Sequence, residues 1–166
     1  PGMLAPKMVV ASFTHDGVNA DVLLARDACD RLVAELENTD TIFVGANIAF
    51  DFGVLCAERP ELLGEIFRVY DEGRVFDVSI NTSLHAVSIG CLGAAFDGDK
   101  VKGRNSKNEG HSTYSLRESL QLWLGRDDAK DNAEHRLTYG LLETTPLSEW
   151  PETAIQYCKD DAINTW

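Results

Sequence analysis

The sequence predicts an α/β sandwich built as one domain of 166 residues. Three observations predict it. Short apolar runs are bounded by turn residues, segments with helical apolar spacing lie between those runs, and the two kinds alternate along the chain, the pattern of layered α/β folds. A chain of this length buries enough apolar surface to fold without disulfides or a structural metal.

The elements follow in order. Residues 8–13, Met-Val-Val-Ala-Ser-Phe, read as a strand stopped by His15-Asp16-Gly17, with 18–23 as its hairpin partner. Across 24–36, Leu24, Ala28, Leu32 and Leu36 recur at helical spacing. Residues 41–46, Thr-Ile-Phe-Val-Gly-Ala, form a buried strand broken by Asn47. A helix over 50–58 ends at Arg59-Pro60, because the residue before proline is pushed out of helical geometry. A short helix over 61–69, a strand over 75–78 and a helix over 79–92 follow, the last carrying Ile80, Leu84 and Val87 on its apolar face. Residues 93–112 are rich in Gly, Asn and Lys and read as a loop. Helices over 115–124, ended by Gly125, and over 151–166 complete the chain. The segment Ala162-Ile163-Asn164-Thr165-Trp166 carries no C-cap signal, so further sequence is expected beyond it.

Composition narrows the function. Fifteen basic against 27 acidic residues give a net charge of −12. That argues against a module gripping nucleic acid by bulk electrostatics, and leaves open an enzyme that reaches nucleic acid through metal ions. No apolar run approaches the length of a membrane span, and the first residues lack signal-peptide features. Cys29, Cys56, Cys91 and Cys158 are widely spaced and read as buried free thiols. His15, His85, His111 and His135 form no ligand-spaced pair.

Two places carry candidate chemistry. Asn47-Ile48-Ala49-Phe50-Asp51 directly follows an apolar strand, so Asp51 stands at a sheet edge where α/β folds bind ligands. On this segment alone, capping of the following helix by Asp51 or Asn47 is the commoner arrangement. In the last helix, Tyr157 and Asp161 lie one turn apart on a face shared with the small Ala154, which leaves room for a ligand. An ordinary surface acid beside a half-buried tyrosine is the plainer account there. Together, carboxylates converging from distant segments would bind Mg²⁺ or Mn²⁺, and two such ions support phosphodiester hydrolysis with about three or four carboxylates.

Asn47-x-x-Phe50-Asp51 after a strand, and Tyr157-x-x-x-Asp161-Ala162 in a late helix, resemble the second and third motifs of the DEDD 3′–5′ exonuclease superfamily, in its DEDDy branch. Tyr114-Ser115-Leu116, Leu124-Gly125 and Arg136-Leu137-Thr138-Tyr139-Gly140 are similar to the proofreading domains of family A-type, phage-like DNA polymerases. The resemblance covers nearly the whole chain. It implies an RNase H-like three-layer α/β/α sandwich with a mixed sheet. It also implies two-metal-ion hydrolysis at a single-stranded DNA 3′ end, a C-terminal polymerase domain as partner, and the cytoplasm, that of a host cell if phage-encoded. Asp51 and Asp161 would hold the ions, Tyr157 would orient the attacking water, and Asn47 and Phe50 would touch the terminal nucleotides. The family's first motif, Asp-x-Glu on the first strand, is absent. The chain is therefore expected to start just downstream of it, which removes the central strand as well as two ligands. A stand-alone exonuclease acting on RNA and a catalytically inert nucleic-acid-binding module of the same fold are the alternatives.

Three further features have plainer accounts. The loop 100–107 holds four basic residues that could meet DNA phosphates or simply be solvated. Asp127, Asp128 and Asp131 read as a solvated turn, and Trp123 and Trp150 as packing residues.

Overall fold

The hairpin that opens the fold is fixed by its turn. In the computed structural model, which describes residues 5–89, 95–97, 100–102, 116–126 and 139–166, β1 (Val10–Thr14) pairs antiparallel with β2 (Ala20–Leu24) in the register Val10↔Leu24 to Thr14↔Ala20. Gly17 supplies the positive φ the turn requires. Asp16 closes the turn by accepting the Asn19 and Val18 amides at 2.7 and 2.9 Å, and these bonds hold its carboxyl well below the usual range.

The chain runs from β2 into α1 (Ala25–Glu37), then β3 (Phe43–Gly45), α2 (Ile48–Glu58), a 3-10 turn at Pro60–Leu62 and α3 (Leu63–Asp71). β4 (Val75–Asp77) returns parallel to β3, with Val44 opposite Phe76, and leads directly into α4 (Val78–Ser88). β5 (Ala95–Asp97) and β6 (Lys100–Lys102) form a small antiparallel pair, followed by α5 (Leu116–Leu124) and α6 (Glu152–Thr165). The expected elements are present with ends shifted by at most two residues, except that the helix expected to reach residue 92 ends at Ser88. A second exception is 93–112, expected as a loop, which contains the β5–β6 pair. No helix among the described residues is long and apolar enough to cross a membrane.

The architecture is mixed α/β. The described strands form three separate two-stranded sheets, β1–β2, β3–β4 and β5–β6. The strands expected at 8–13 and 41–46 do not pair with each other.

The core lies where α1, α2 and α3 meet. Met8, Ala28, Leu36, Ile48, Phe52, Leu55, Ile66 and Val69 are buried together, and Phe52 packs edge-on against Phe43 and Tyr70. α1 and α6 both pack against the β1–β2 hairpin. The apolar face of α4 lies outside this core. Thr82 and Ala86 are buried, whereas Ile80, Leu84 and Val87 stand exposed on the wall of a cleft. Periodicity identifies an apolar stripe but not what covers it.

One buried cation ties these layers together. Arg74, 7% exposed, donates to the carbonyls of Leu36, Asn38 and Thr41 at 2.9, 2.6 and 3.0 Å, and pairs with Glu72 at 2.8 Å. It thereby satisfies carbonyls at the C-terminal end of α1 and in the connection to β3, where no helical donor exists. Arg74→Met keeps the stem and leaves three carbonyls without that donor. It should cost about 2–4 kcal/mol of unfolding free energy, read by urea denaturation; Arg74→Lys should recover less than half of the loss.

Candidate functional site

The free flank of β1 and that of β3 face a cleft of about 1120 Å³. Residues 11–14 and 43–45 line it, with Asn47, Phe50 and Asp51 from the start of α2, Ile80 and Leu84 from α4, and Tyr157 and Asp161 from α6. Asp51 and Asp161 are separated by 110 positions in sequence (161 − 51) and reach one concavity because α2 begins beside the cleft and α6 ends there. Among the described residues the lining carries Glu35, which pairs with Arg31 at 2.9 Å, Asp51 and Asp161, and no lysine or arginine.

The start of α2 is built by a side chain that the sequence reading did not single out. Asp77, 8% exposed, accepts the Ile48 amide at 2.9 Å and the Asn47 amide at 3.3 Å. The same carboxylate accepts the Ser79 and Ile80 amides at 2.9 and 3.1 Å, capping α4. One carboxylate thus serves the N-termini of two helices, where amides lack partners and the helix dipole is positive. The rule for N-caps finds Asp77 as the cap of α4. Nothing local reveals its bonds to residues 29 and 30 positions earlier.

Asn47 adopts the left-handed conformation, with φ 65° and ψ 45°, and is the only non-glycine residue with positive φ among the described residues. Asparagine tolerates this region better than most residues. The turn aims the Asn47 and Ile48 amides at Asp77. Asn47 occupies the N-cap position without a side-chain capping bond, so neither it nor Asp51 is the cap considered from sequence. Gly45 completes the corner, since a Cβ there would lie 2.7 Å from Cβ of Ile48.

Asp51 is exposed to the cleft, yet surrounding protein crowds its carboxyl. That desolvation, followed by the nearby charges of Asp77 and Asp161, raises its pKa to about 6. Open surface toward a concavity and crowding by its walls coexist, and the second governs the cost of charge.

Tyr157 is buried, 8% exposed, with its ring 6.2 Å from that of Tyr139, which stacks in turn on Trp150 at 5.9 Å. The Cys158 thiol donates to the Tyr139 hydroxyl at 3.2 Å, and burial pushes the Tyr139 phenol up strongly. Tyr139 therefore joins the site beside Tyr157 and Asp161, although the sequence reading noted it only within a motif. Trp150 is a packing residue, 5% exposed, whereas Trp123 is half exposed and donates to Thr82. Ala154 is fully buried and leaves no room for a ligand. Cys29, Cys56 and Cys158 are free thiols. Cys91, His111, the 127–131 acidic turn, residues 136–138 and most of the basic loop lie outside the described residues.

Among the described residues, no group of three or more His, Cys, Asp or Glu side chains could hold a metal ion. The oxygens of Asp77 are committed to backbone amides. Asp51 and Asp161 both line the cleft. Fold and cleft define a coarse class: a mixed α/β protein with an acidic, aromatic-lined cleft beside open strand edges. No family model, curated protein or solved structure matches the chain.

Two predictions test this geometry. Asp77→Ala removes the acceptor for four amides and should cost about 2–4 kcal/mol, seen as a lowered urea midpoint with loss of amide protection at the starts of both α2 and α4. Asp51→Asn should stabilise the metal-free protein. The folded carboxyl titrates near 6 against an ordinary value near 3.8. Its charge therefore opposes folding at pH 7.5, and the penalty fades as pH falls through 6 and is gone near pH 3, where both states are protonated. The variant's urea midpoint should exceed wild type at pH 7.5 and match it at pH 3.

Proposed function

We propose that this domain is a 3′–5′ exonuclease acting on DNA ends, the proofreading part of a family A-type DNA polymerase. The observation that carries the reading is the meeting of Asp51 and Asp161 at one cleft beside Tyr157. The motif order of the sequence supports it independently.

Asp51 and Asp161 would hold a divalent cation, Mg²⁺ or Mn²⁺, whose positive charge relieves the repulsion that raises the Asp51 carboxyl. A divalent ion bound there supplies an acidified water and neutralisation of phosphate charge. The second ion of the proposed pair depends on ligands of the Asp-x-Glu motif, which this chain lacks. Phe50, 52% exposed in the cleft, offers an aromatic face for a terminal base. The Tyr157 hydroxyl orients the attacking water, while its ring packs on Tyr139. Asn47 contributes its amide side chain from a backbone position already fixed by Asp77.

Single-turnover cleavage of a 5′-labelled single-stranded oligonucleotide with Mg²⁺ tests the reading, in a protein that carries the Asp-x-Glu segment. Asp161→Ala should abolish cleavage. Tyr157→Phe should slow it roughly 10–10³-fold with an unchanged melting temperature. Asn47→Gly preserves the left-handed turn and removes the side chain, so it should weaken oligonucleotide binding while the fold stands. Normal cleavage by both Asp161→Ala and Tyr157→Phe would overturn the assignment. The inert binding module is the second reading, favoured by the lack of a three-carboxylate group among the described residues. It expects oligonucleotide binding that is indifferent to Mg²⁺ and to Asp161→Ala.

A further inference from the structure

The outer face of α3 carries an apolar row that the core does not take up. Ile66 and Val69 of this helix are buried in the core, whereas Leu63, Phe67 and Tyr70 stand 50%, 61% and 41% exposed. Their spacing of i, i+4 and i+7 sets them in line along the helix, the pattern by which one helix presents anchors to another. Single exposed apolar residues are ordinary on a protein surface, but a row of three with two aromatic rings marks an interaction site. None of the three lines the cleft.

A notch lies beside the row. Gly64 stands within α3, one turn before Phe67, and a Cβ built there would meet nothing within 4 Å. Its φ is not positive. Neither a turn nor a close neighbour among the described residues calls for glycine, and alanine would make the more stable helix. What the missing side chain does provide is room for another backbone to come close. Asp71, four residues after Phe67, is exposed and has no ion-pair partner among the described residues. The neighbouring carboxylates are already held, Glu61 by Arg59 and both Glu65 and Glu72 by Arg68.

We propose that the outer face of α3 is a docking site for a basic amphipathic helix of a partner protein, with its apolar side chains packed along Leu63, Phe67 and Tyr70, its backbone close over Gly64, and a lysine or arginine meeting Asp71. Charge selects this occupant. The chain carries −12, so a second copy would set like charge against like, with Asp71 of each near the contact. A cationic helix is instead steered toward the surface and pairs the one free carboxylate of the face. The nine residues of α3 run about 14 Å, so two to three turns of the partner lie along them. The proposal goes beyond the nuclease reading and does not depend on it.

The probe is a labelled sixteen-residue helical peptide, acetylated and amidated, with leucines on one face and lysines and alanines on the other. It is added to the metal-free protein without nucleic acid, and fluorescence anisotropy reads binding. Gly64→Gln and Phe67→Gln should each weaken binding at least tenfold. Gly64→Gln should at the same time raise the urea midpoint, because glutamine favours the helix, so its loss of binding is not loss of fold. Asp71→Asn should weaken binding at least threefold, whereas Asp21→Asn, which removes the same charge from β2, should leave it unchanged. Absence of binding at millimolar peptide overturns the proposal. Equal binding by wild type, Gly64→Gln and Phe67→Gln also overturns it, since the peptide then follows net charge alone. Equal effects of Asp71→Asn and Asp21→Asn overturn the basic occupant. Self-association in sedimentation that Gly64→Gln abolishes overturns it too, because a second copy then covers the face. No metal, nucleic acid or cleavage enters these measurements, so their failure leaves the nuclease reading untouched, and a failed cleavage assay leaves the docking site untouched.

Discussion

The carboxylate of Asp77 is the constraint on which the site depends. It stands at the end of β4, buried, where the chain passes from strand to helix. Four backbone amides converge on it, two from α4 and two from the start of α2. A charged acceptor at a helix N-terminus is favourable once, because it meets unpaired donors and the positive end of the dipole. Here the same charge serves two helices. Parallel pairing of β3 with β4 brings the two helix starts side by side, and Asp77 fixes them there. Asn47 takes its left-handed turn and Gly45 goes without a side chain so that α2 can begin at this spot. Asp51, one turn into α2, inherits its position from that junction.

Placing Asp51 this way has an electrostatic cost that the fold does not offset. Crowding, and the neighbouring Asp77 and Asp161, make its charged form unfavourable. Among the described residues no arginine or lysine lines the cleft, and Glu35 on its wall is paired with Arg31. Around α3 the charges are paired likewise, Arg68 with Glu65 and Glu72 and Arg74 with Glu72. A perturbed carboxylate in a concavity is characteristic of functional sites.

The apolar groups obey a parallel division. Around α1, α2 and α3 they are closed into a core, with Leu55 and Val69 fully buried. Along β1, β3 and α4 they are left half covered, and they border the same concavity as the acids. Residues of β1 and β3, exposed apolar side chains and the crowded Asp51 carboxyl therefore coincide in one region. That coincidence makes the cleft the part of the molecule with most to gain from a ligand.

Much of the secondary structure was legible in the residues themselves. Apolar spacing located α1, turn residues located the β1–β2 hairpin, Arg59-Pro60 ended α2, and Gly125 followed the end of α5, because these depend on side chains within a few positions. Asn47, Phe50, Asp51, Tyr157 and Asp161 stood out only by their likeness to two family motifs, and all five line one cleft. Tertiary structure alone decided which of these meet and what holds them. The double role of Asp77 joins residues 29 and 30 positions apart, Arg74 reaches carbonyls more than 30 positions away, and Tyr139 reaches the site by packing on Tyr157 and Trp150. The apolar stripe of α4 lines the cleft, and the described strands form three separate pairs. The physical reason is the same in each case. Local sequence sets backbone geometry and the side on which a residue lies, whereas pairing, burial and charge depend on what the rest of the chain brings against that side.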